Sequence, residues 1–156
     1  MVGYVDHGCN EEVLNFYHRM QLEGLDRTSV ALICGLKACG NIGAIDKGKR
    51  IHDEVVSKRL LQKDIMLGTT LVDMYANCGM LEKAEKVLQE LPARDIVSWN
   101  VLISAFAQHG RGHEALRCLK SMTEEGVFPD GVTILSVLTA CSHSGLLEEG
   151  EMCFSN

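Results

Sequence analysis

Two histidines four residues apart, His109 and His113, have the spacing of a metal-binding pair on one helical turn. Gly110 and Gly112 stand between them, where the helical pattern breaks, so both histidines read as turn residues and no metal site is expected. His113-Glu114 lacks the His-x-Glu spacing of a nucleotide deaminase, and no Cys-x-x-Cys accompanies it. A phosphate-cradling P-loop and a Gly-x-Ser-x-Gly elbow are both absent. The seven cysteines are odd in number and none has zinc-knuckle spacing. Three fall in similar strings, Lys37-Ala-Cys39, Ala76-Asn-Cys78 and Thr139-Ala-Cys141, which suggests small buried helix residues with reduced thiols. These side chains point away from catalysis: no enzyme activity, cofactor or small-molecule substrate is expected.

Composition bounds the rest. Of 156 residues, 46% are hydrophobic and 5% aromatic, a globular balance with no low-complexity tract. No apolar run approaches the ~18 residues of a membrane span, so no membrane is expected as partner. The net charge of −6 is uneven: residues 121–156 hold six acids and no Lys or Arg, while residues 37–63 hold seven basic groups against three acids. A protein that coats polyanions would be basic throughout, so charge alone does not select nucleic acid. The first ten residues read as neither a signal peptide nor an Arg- and Ser-rich transit peptide.

The chemistry must be positioned by something, and the sequence shows what: it repeats. The strings Asp6-His-Gly8, Asn41-Ile-Gly43, Asn77-Cys-Gly79, Gln108-His-Gly110 and His143-Ser-Gly145 align, with Gly-to-Gly steps of 35, 36, 31 and 35 residues. Five residues after each Gly stands a small or slim residue: Val13, Gly48, Ala84, Ala115 and Gly150. In the clearest period Trp99, Leu102, Ile103 and Phe106 form one apolar stripe at i, i+3, i+4, i+7. After the break at Gly110 and Gly112, Ala115, Leu116, Leu119 and Met122 form a second, with Arg117, Lys120 and Glu124 outside. Gly126 and Pro129 end it. Each period is thus helix, Gly turn, helix. Two short helices cannot bury a useful core alone, so the hairpins are expected to stack into an all-α solenoid whose first helices line one surface. Evenly spaced residues on such a surface suit an extended polymer. The chain starts and stops inside a period, which reads as a fragment.

The strings Asp95-Ile-Val-Ser-Trp-Asn-Val-Leu-Ile103, Leu71-Val-Asp-Met-Tyr-Ala-Asn-Cys-Gly79 and Val137-Leu-Thr-Ala-Cys-Ser-His-Ser-Gly145 resemble plant pentatricopeptide repeat (PPR) proteins. The alternating lengths are similar to the PLS subclass, which divides the chain into a partial standard repeat at 1–28, a long one at 29–64, a short one at 65–95, a standard one at 96–130 and a partial long one at 131–156. The resemblance implies sequence-specific binding of single-stranded RNA in mitochondria or chloroplasts, one base per repeat, in C-to-U editing or other mRNA processing. It implies that the fifth and last side chains of each repeat read the base. These are Asn100 with Asp130, associated with uracil, and Thr69 with Asp95, associated with guanine. The long repeat holds Ile33 and Asp64, which leaves its base unassigned; Leu135 and Thr28 belong to incomplete pairs. The resemblance also implies that Val30, Met66, Val97 and Val132 sandwich the bases. It admits protein cofactors of an editing complex as further partners, and the chain lacks the deaminase-like extension that many PLS proteins carry.

The chemistry is reasonable on its own terms. An Asn amide offers donor and acceptor to a pyrimidine edge, a shorter Thr hydroxyl leaves room for a purine, and Asp accepts from imino or amino donors. The same residues have structural uses, since Asp64, Asp95 and Asp130 could simply begin turns, and Asn100 and Thr69 could cap helices or sit wet on a face. A protein-binding helical repeat of tetratricopeptide type is the alternative, against which the alternating lengths stand, because such arrays keep a period near 34.

Overall fold

The computed structural model describes residues 10–24 and 29–144. Among them are eight α-helices and no strand: α1 (Asn10–Leu22), α2 (Ser29–Ile42), α3 (Ile45–Ser57), α4 (Ile65–Asn77), α5 (Leu81–Glu90), α6 (Ile96–Gln108), α7 (Gly112–Glu124) and α8 (Gly131–Ser144). A 3-10 turn, Leu60–Gln62, leads from α3 to α4. Gly8, Thr28, Gly145 and Gly150 of the sequence pattern lie outside the described residues. The helices fall into two units, Met1–Pro92 and Ala93–Asn156.

Glycine sets the hairpin turns. α2, α4 and α6 are followed by Gly43, Gly79 and Gly110 at φ 71°, 79° and 66°. In this left-handed region a side chain costs roughly 1 kcal/mol or more. The residue after each Gly donates to the carbonyl five residues back, Ala44 N to Cys39 O, Met80 N to Tyr75 O and Arg111 N to Phe106 O. At the last turn, Gly110 N donates to Ala107 O at 3.1 Å and Arg111 N to Phe106 O at 2.9 Å. These satisfy carbonyls that the helix end would otherwise orphan. Gly112 departs from expectation: it is the buried first residue of α7, because Gly110 alone reverses the chain.

The two helices of a hairpin differ in how they are buried. In the first unit α2 packs against α1, α3 and α4, and α4 packs against α2, α3 and α5; in the second, α6, α7 and α8 pack on one another. Leu32, Leu36, Leu67, Leu71, Leu102, Ile103 and Phe106, all on α2, α4 or α6, are fully buried. Each such side chain contributes about 1.5–3 kcal/mol of burial. α3, α5 and α7 bury one face only. On α7 that face is Ala115, Cys118, Leu119 and Met122, whereas Leu116 is half-buried. At 100° per residue position 116 swings off the stripe and position 118 falls onto it. The small residues after the turns are where helices come close. A Cβ at Gly48 would lie 2.6 Å from Sδ of Met74, and Ala84 and Ala115 are fully buried.

Cys39 and Cys141 are buried as expected, but Cys78 is half-buried at the C-cap of α4, its Sγ 3.8 Å from the Cys39 carbonyl. Burial pushes the Cys39 thiol up to about 11, which keeps it protonated and unreactive. A polar contact ties α3 to α4: His52 Nδ1 lies 2.7 Å from the Tyr75 hydroxyl, with the rings edge-to-face. Burial pushes Tyr75 up to about 12. Burial first, and the Lys83 charge second, lower the pKa of His52 despite opposing Asp53 and Glu90.

Two measurements check this account. Gly110→Ala should lower unfolding stability by about 1 kcal/mol, and Gly110→Asn by less, in urea titrations. His52 takes up a proton less readily folded than unfolded. Its contribution is therefore complete above the unfolded pKa of about 6.5 and is lost as pH falls toward the lower folded value. The melting temperature should drop between pH 7.5 and 5.5, and His52→Gln should flatten that dependence.

Candidate functional site

The residue before each of α4, α6 and α8 is an aspartate: Asp64, Asp95 and Asp130. Each puts its carboxylate over the exposed N–H groups of the helix it precedes. Asp64 Oδ1 accepts from Met66 N at 3.0 Å and Leu67 N at 3.3 Å. Asp95 accepts from Ser98 N at 2.9 Å, while its own N–H donates to Ser98 Oγ at 3.0 Å, a complete capping box. Asp130 repeats this with Thr133: Thr133 N donates to Asp130 Oδ1 at 3.0 Å, and Asp130 N to Thr133 Oγ1 at 3.2 Å. The structural use of these aspartates is therefore real, and it fixes each carboxylate at the mouth of a helix.

In the second unit a predicted pair comes together. Asn100, one turn into α6, donates from Nδ2 to Asp130 Oδ1 at 3.1 Å. Thr133 Oγ1 donates to Asn100 Oδ1. The backbone N–H of Thr133, its hydroxyl and the Asn100 amide together hold the Asp130 carboxyl below the usual carboxylate range. Thr133, which the sequence pattern left unremarked, is fully buried. A Thr three residues after an Asp, ahead of an apolar run, was the available signal.

The other predicted pair is split between the units. Thr69, on α4 in the first, bonds back to Ile65 O at 3.2 Å; Asp95 lies in the second. Ile33, the fifth-position residue of the long repeat, is half-buried on α2.

The four residues expected to sandwich bases share one placement. Val30, Met66, Val97 and Val132 are each the second residue of α2, α4, α6 and α8, and are 52–62% exposed. Leu135 is 67% exposed one turn into α8. Large aliphatic side chains kept half or more in water at one repeated position add little to the stability of the fold. Of the basic stretch, Lys47, Lys49 and Arg50 lie on α3, a second helix. Lys47 and Arg50 line a cleft of about 210 Å³ with Tyr17, His18 and Ile51, away from the first turns of α2 and α4. Among the described residues no three His, Cys, Asp or Glu side chains cluster as metal ligands. None of the helices is long and apolar enough to cross a membrane.

This geometry has known counterparts. A family profile described as PPR repeat family matches residues 94–143, and one described as PPR repeat matches residues 1–25 and 69–96. A chloroplastic pentatricopeptide repeat-containing protein of Arabidopsis thaliana is 39% identical over 165 residues, covering 99% of this chain and 18% of its own length. A mitochondrial one from the same plant is 38% identical over 153 residues, covering 98% and 24%. The chain spans about a fifth to a third of the length of the curated relatives it matches. Among solved structures, the pentatricopeptide repeat protein PPR10 in complex with an 18-nt psaJ RNA element matches with a TM-score of 0.80 at 15% identity, over 97% of this chain and 23% of that one. PPR10 from maize matches with a TM-score of 0.73 at 22% identity, over 93% and 21%. The fold class is the all-α helical-repeat solenoid.

The caps give a direct check on the aspartates. Asp95→Ala should cost about 1 kcal/mol of stability in thermal or urea unfolding, while Asp95→Asn, itself a good cap, should stay within a few tenths.

Proposed function

Because the chain is a pentatricopeptide repeat protein of the plant type, we propose that it binds single-stranded RNA sequence-specifically, one base per repeat. The observation that carries this reading is the second unit's site, where Asn100 and Asp130 meet at the helix mouths with Val97 and Val132 exposed on the same first turns. On this reading Asn100 and Asp130 select uracil, Thr69 and Asp95 select guanine, and Val30, Met66, Val97 and Val132 cover the faces of the bases. The target is an unassigned base followed by G and then U, 5′ to 3′. The repeats divide at 29–64, 65–95 and 96–130, the long, short and standard units of the PLS subclass. The RNA is organellar, which the chloroplastic and mitochondrial names of relatives support, and the process is C-to-U editing or other mRNA processing.

A second reading applies to the long repeats. Their fifth positions hold Ile33 and Leu135, neither of which can hydrogen-bond a base edge, and Leu135 is openly exposed. Contact with a protein cofactor, such as a member of an editing complex, suits them better than base reading.

Stacking gives about 1–3 kcal/mol per base, and aliphatic covers lie at the low end. Three complete repeats then supply roughly 3–6 kcal/mol, a dissociation constant from millimolar to tens of micromolar. Fluorescence anisotropy at low salt should show preference for an RNA with a central G-U step over one carrying A-C. Asn100→Ala and Thr69→Ala should each abolish it. Equal binding of both RNAs at concentrations that saturate either would overturn base reading and leave the groove to a protein partner.

A further inference from the structure

The hydrogen bonds around Asn100 close into a ring, and Thr133 is the member of it that no base-reading pair contains. Resting on the reading of Asn100 as a base reader, we propose that the Thr133 hydroxyl is a positioning group: it holds the Asn100 amide in one orientation and thereby sets the choice between uracil and cytosine.

An Asn side chain is nearly symmetric in shape but opposite in chemistry at its two ends. Uracil and cytosine differ in the same sense. At N3 and the exocyclic atom beside it, uracil presents a donor and an acceptor, and cytosine presents an acceptor and a donor. Flipping the amide therefore exchanges a surface that fits one pyrimidine for a surface that fits the other. A freely rotating Asn at this position would discriminate poorly, so selectivity requires a lock.

The lock is visible. Asp130 is ionised and can only accept, so the Asn100 end that faces its Oδ1, at 3.1 Å, must be Nδ2. The Thr133 hydroxyl already accepts from Asp130 N at 3.2 Å, which turns its proton outward. That proton is directed at Asn100 Oδ1 and at Asp130 Oδ1, the latter 3.0 Å away. A flipped amide would set oxygen against carboxylate and NH2 against a hydroxyl proton. The two anchors differ in one respect. Asp130 is exposed, so water competes for its oxygen, whereas Thr133 is sealed from solvent. The buried hydroxyl is thus the anchor that bulk water does not dilute.

Capping alone does not call for this arrangement. At the preceding aspartate the corresponding hydroxyl, Ser98 Oγ, donates to Asp95 O at 2.9 Å and so completes its bonding within its own cap. Thr133 performs the same capping duty and in addition reaches from α8 to α6. It lies three residues past the repeat boundary, so the orientation of one repeat's reader is set by the repeat that follows.

Thr133→Val keeps the branched shape and the burial and removes the hydroxyl; Thr133→Ser keeps the hydroxyl. Circular dichroism and melting temperature establish that both variants of the full chain fold. Two readouts then separate this proposal from the one it rests on. Without RNA, solvent exchange of the Asn100 side-chain amide protons, followed by NMR, should quicken about fivefold in Thr133→Val and return to the parent rate in Thr133→Ser. An unchanged rate in Thr133→Val would overturn the lock whatever the chain binds. With RNAs differing only by U or C opposite the 96–130 repeat, the parent chain should favour U. Thr133→Val should bring the U-to-C ratio toward one, and Thr133→Ser should restore it. A parent preference that survives intact in Thr133→Val would overturn the positioning role. A parent chain blind to U against C would instead overturn base reading, with the exchange rates still deciding the lock.

Discussion

A hairpin of two short helices has more apolar surface than its own two members can cover, and the rest of the architecture follows from that excess. α2, α4 and α6 are apolar almost all the way round, so each must be enclosed by its hairpin partner and by a neighbouring hairpin. α3, α5 and α7 carry one apolar face and keep the other in water. Enclosure leaves polar chemistry on the first helices little room. It gathers near the start of the helix, where the chain enters from solvent and the backbone N–H groups still lack partners, with few contacts further along such as Ser104 Oγ to Ser136 Oγ at 3.0 Å. The candidate readers sit there because that part of the helix is still open.

The same confinement makes the aspartates serve two ends. Their carboxylates satisfy orphan donors at the helix mouths, and that bond fixes them where an approaching ligand would meet them. A group that is already anchored loses little freedom on contact with a ligand, which favours selectivity over raw affinity. Anchoring also couples the two properties, since any replacement that changes recognition at Asp95 or Asp130 acts on the start of a helix as well. Asparagine is the replacement that leaves the cap intact while changing what is offered to a base.

Much of this was legible in the residues. Glycine before each turn, small residues five places later and two apolar stripes per period identified the helices and their buried faces, because these features follow from local backbone geometry and a 3.6-residue period. The readings that fail turn on a few tens of degrees around a helix or on one or two residues at its end. Cys118 occupies the face on which the apolar stripe places Leu116, and the helix interior in which the repeated strings place Cys78 ends one residue earlier. Gly110 alone breaks the helix, although the pattern offers Gly112 beside it. Thr133 went unnoticed for a different reason. Its importance lies in a contact with Asn100, 33 residues away, and no one-dimensional pattern announces which hydroxyl will face which amide.

The exposed aliphatic side chains at the second residue of α2, α4, α6 and α8 also have a thermal meaning. Val97 and Val132 hold a shell of water that folding does not release. Whatever comes to lie over them will release it, and the heat capacity of the system will fall by an amount set by the apolar area covered. A purely ionic contact with a phosphate backbone would leave that quantity nearly unchanged. The temperature dependence of a binding enthalpy therefore reports on whether a flat apolar face has been laid against these residues, with no need to know the ligand's sequence.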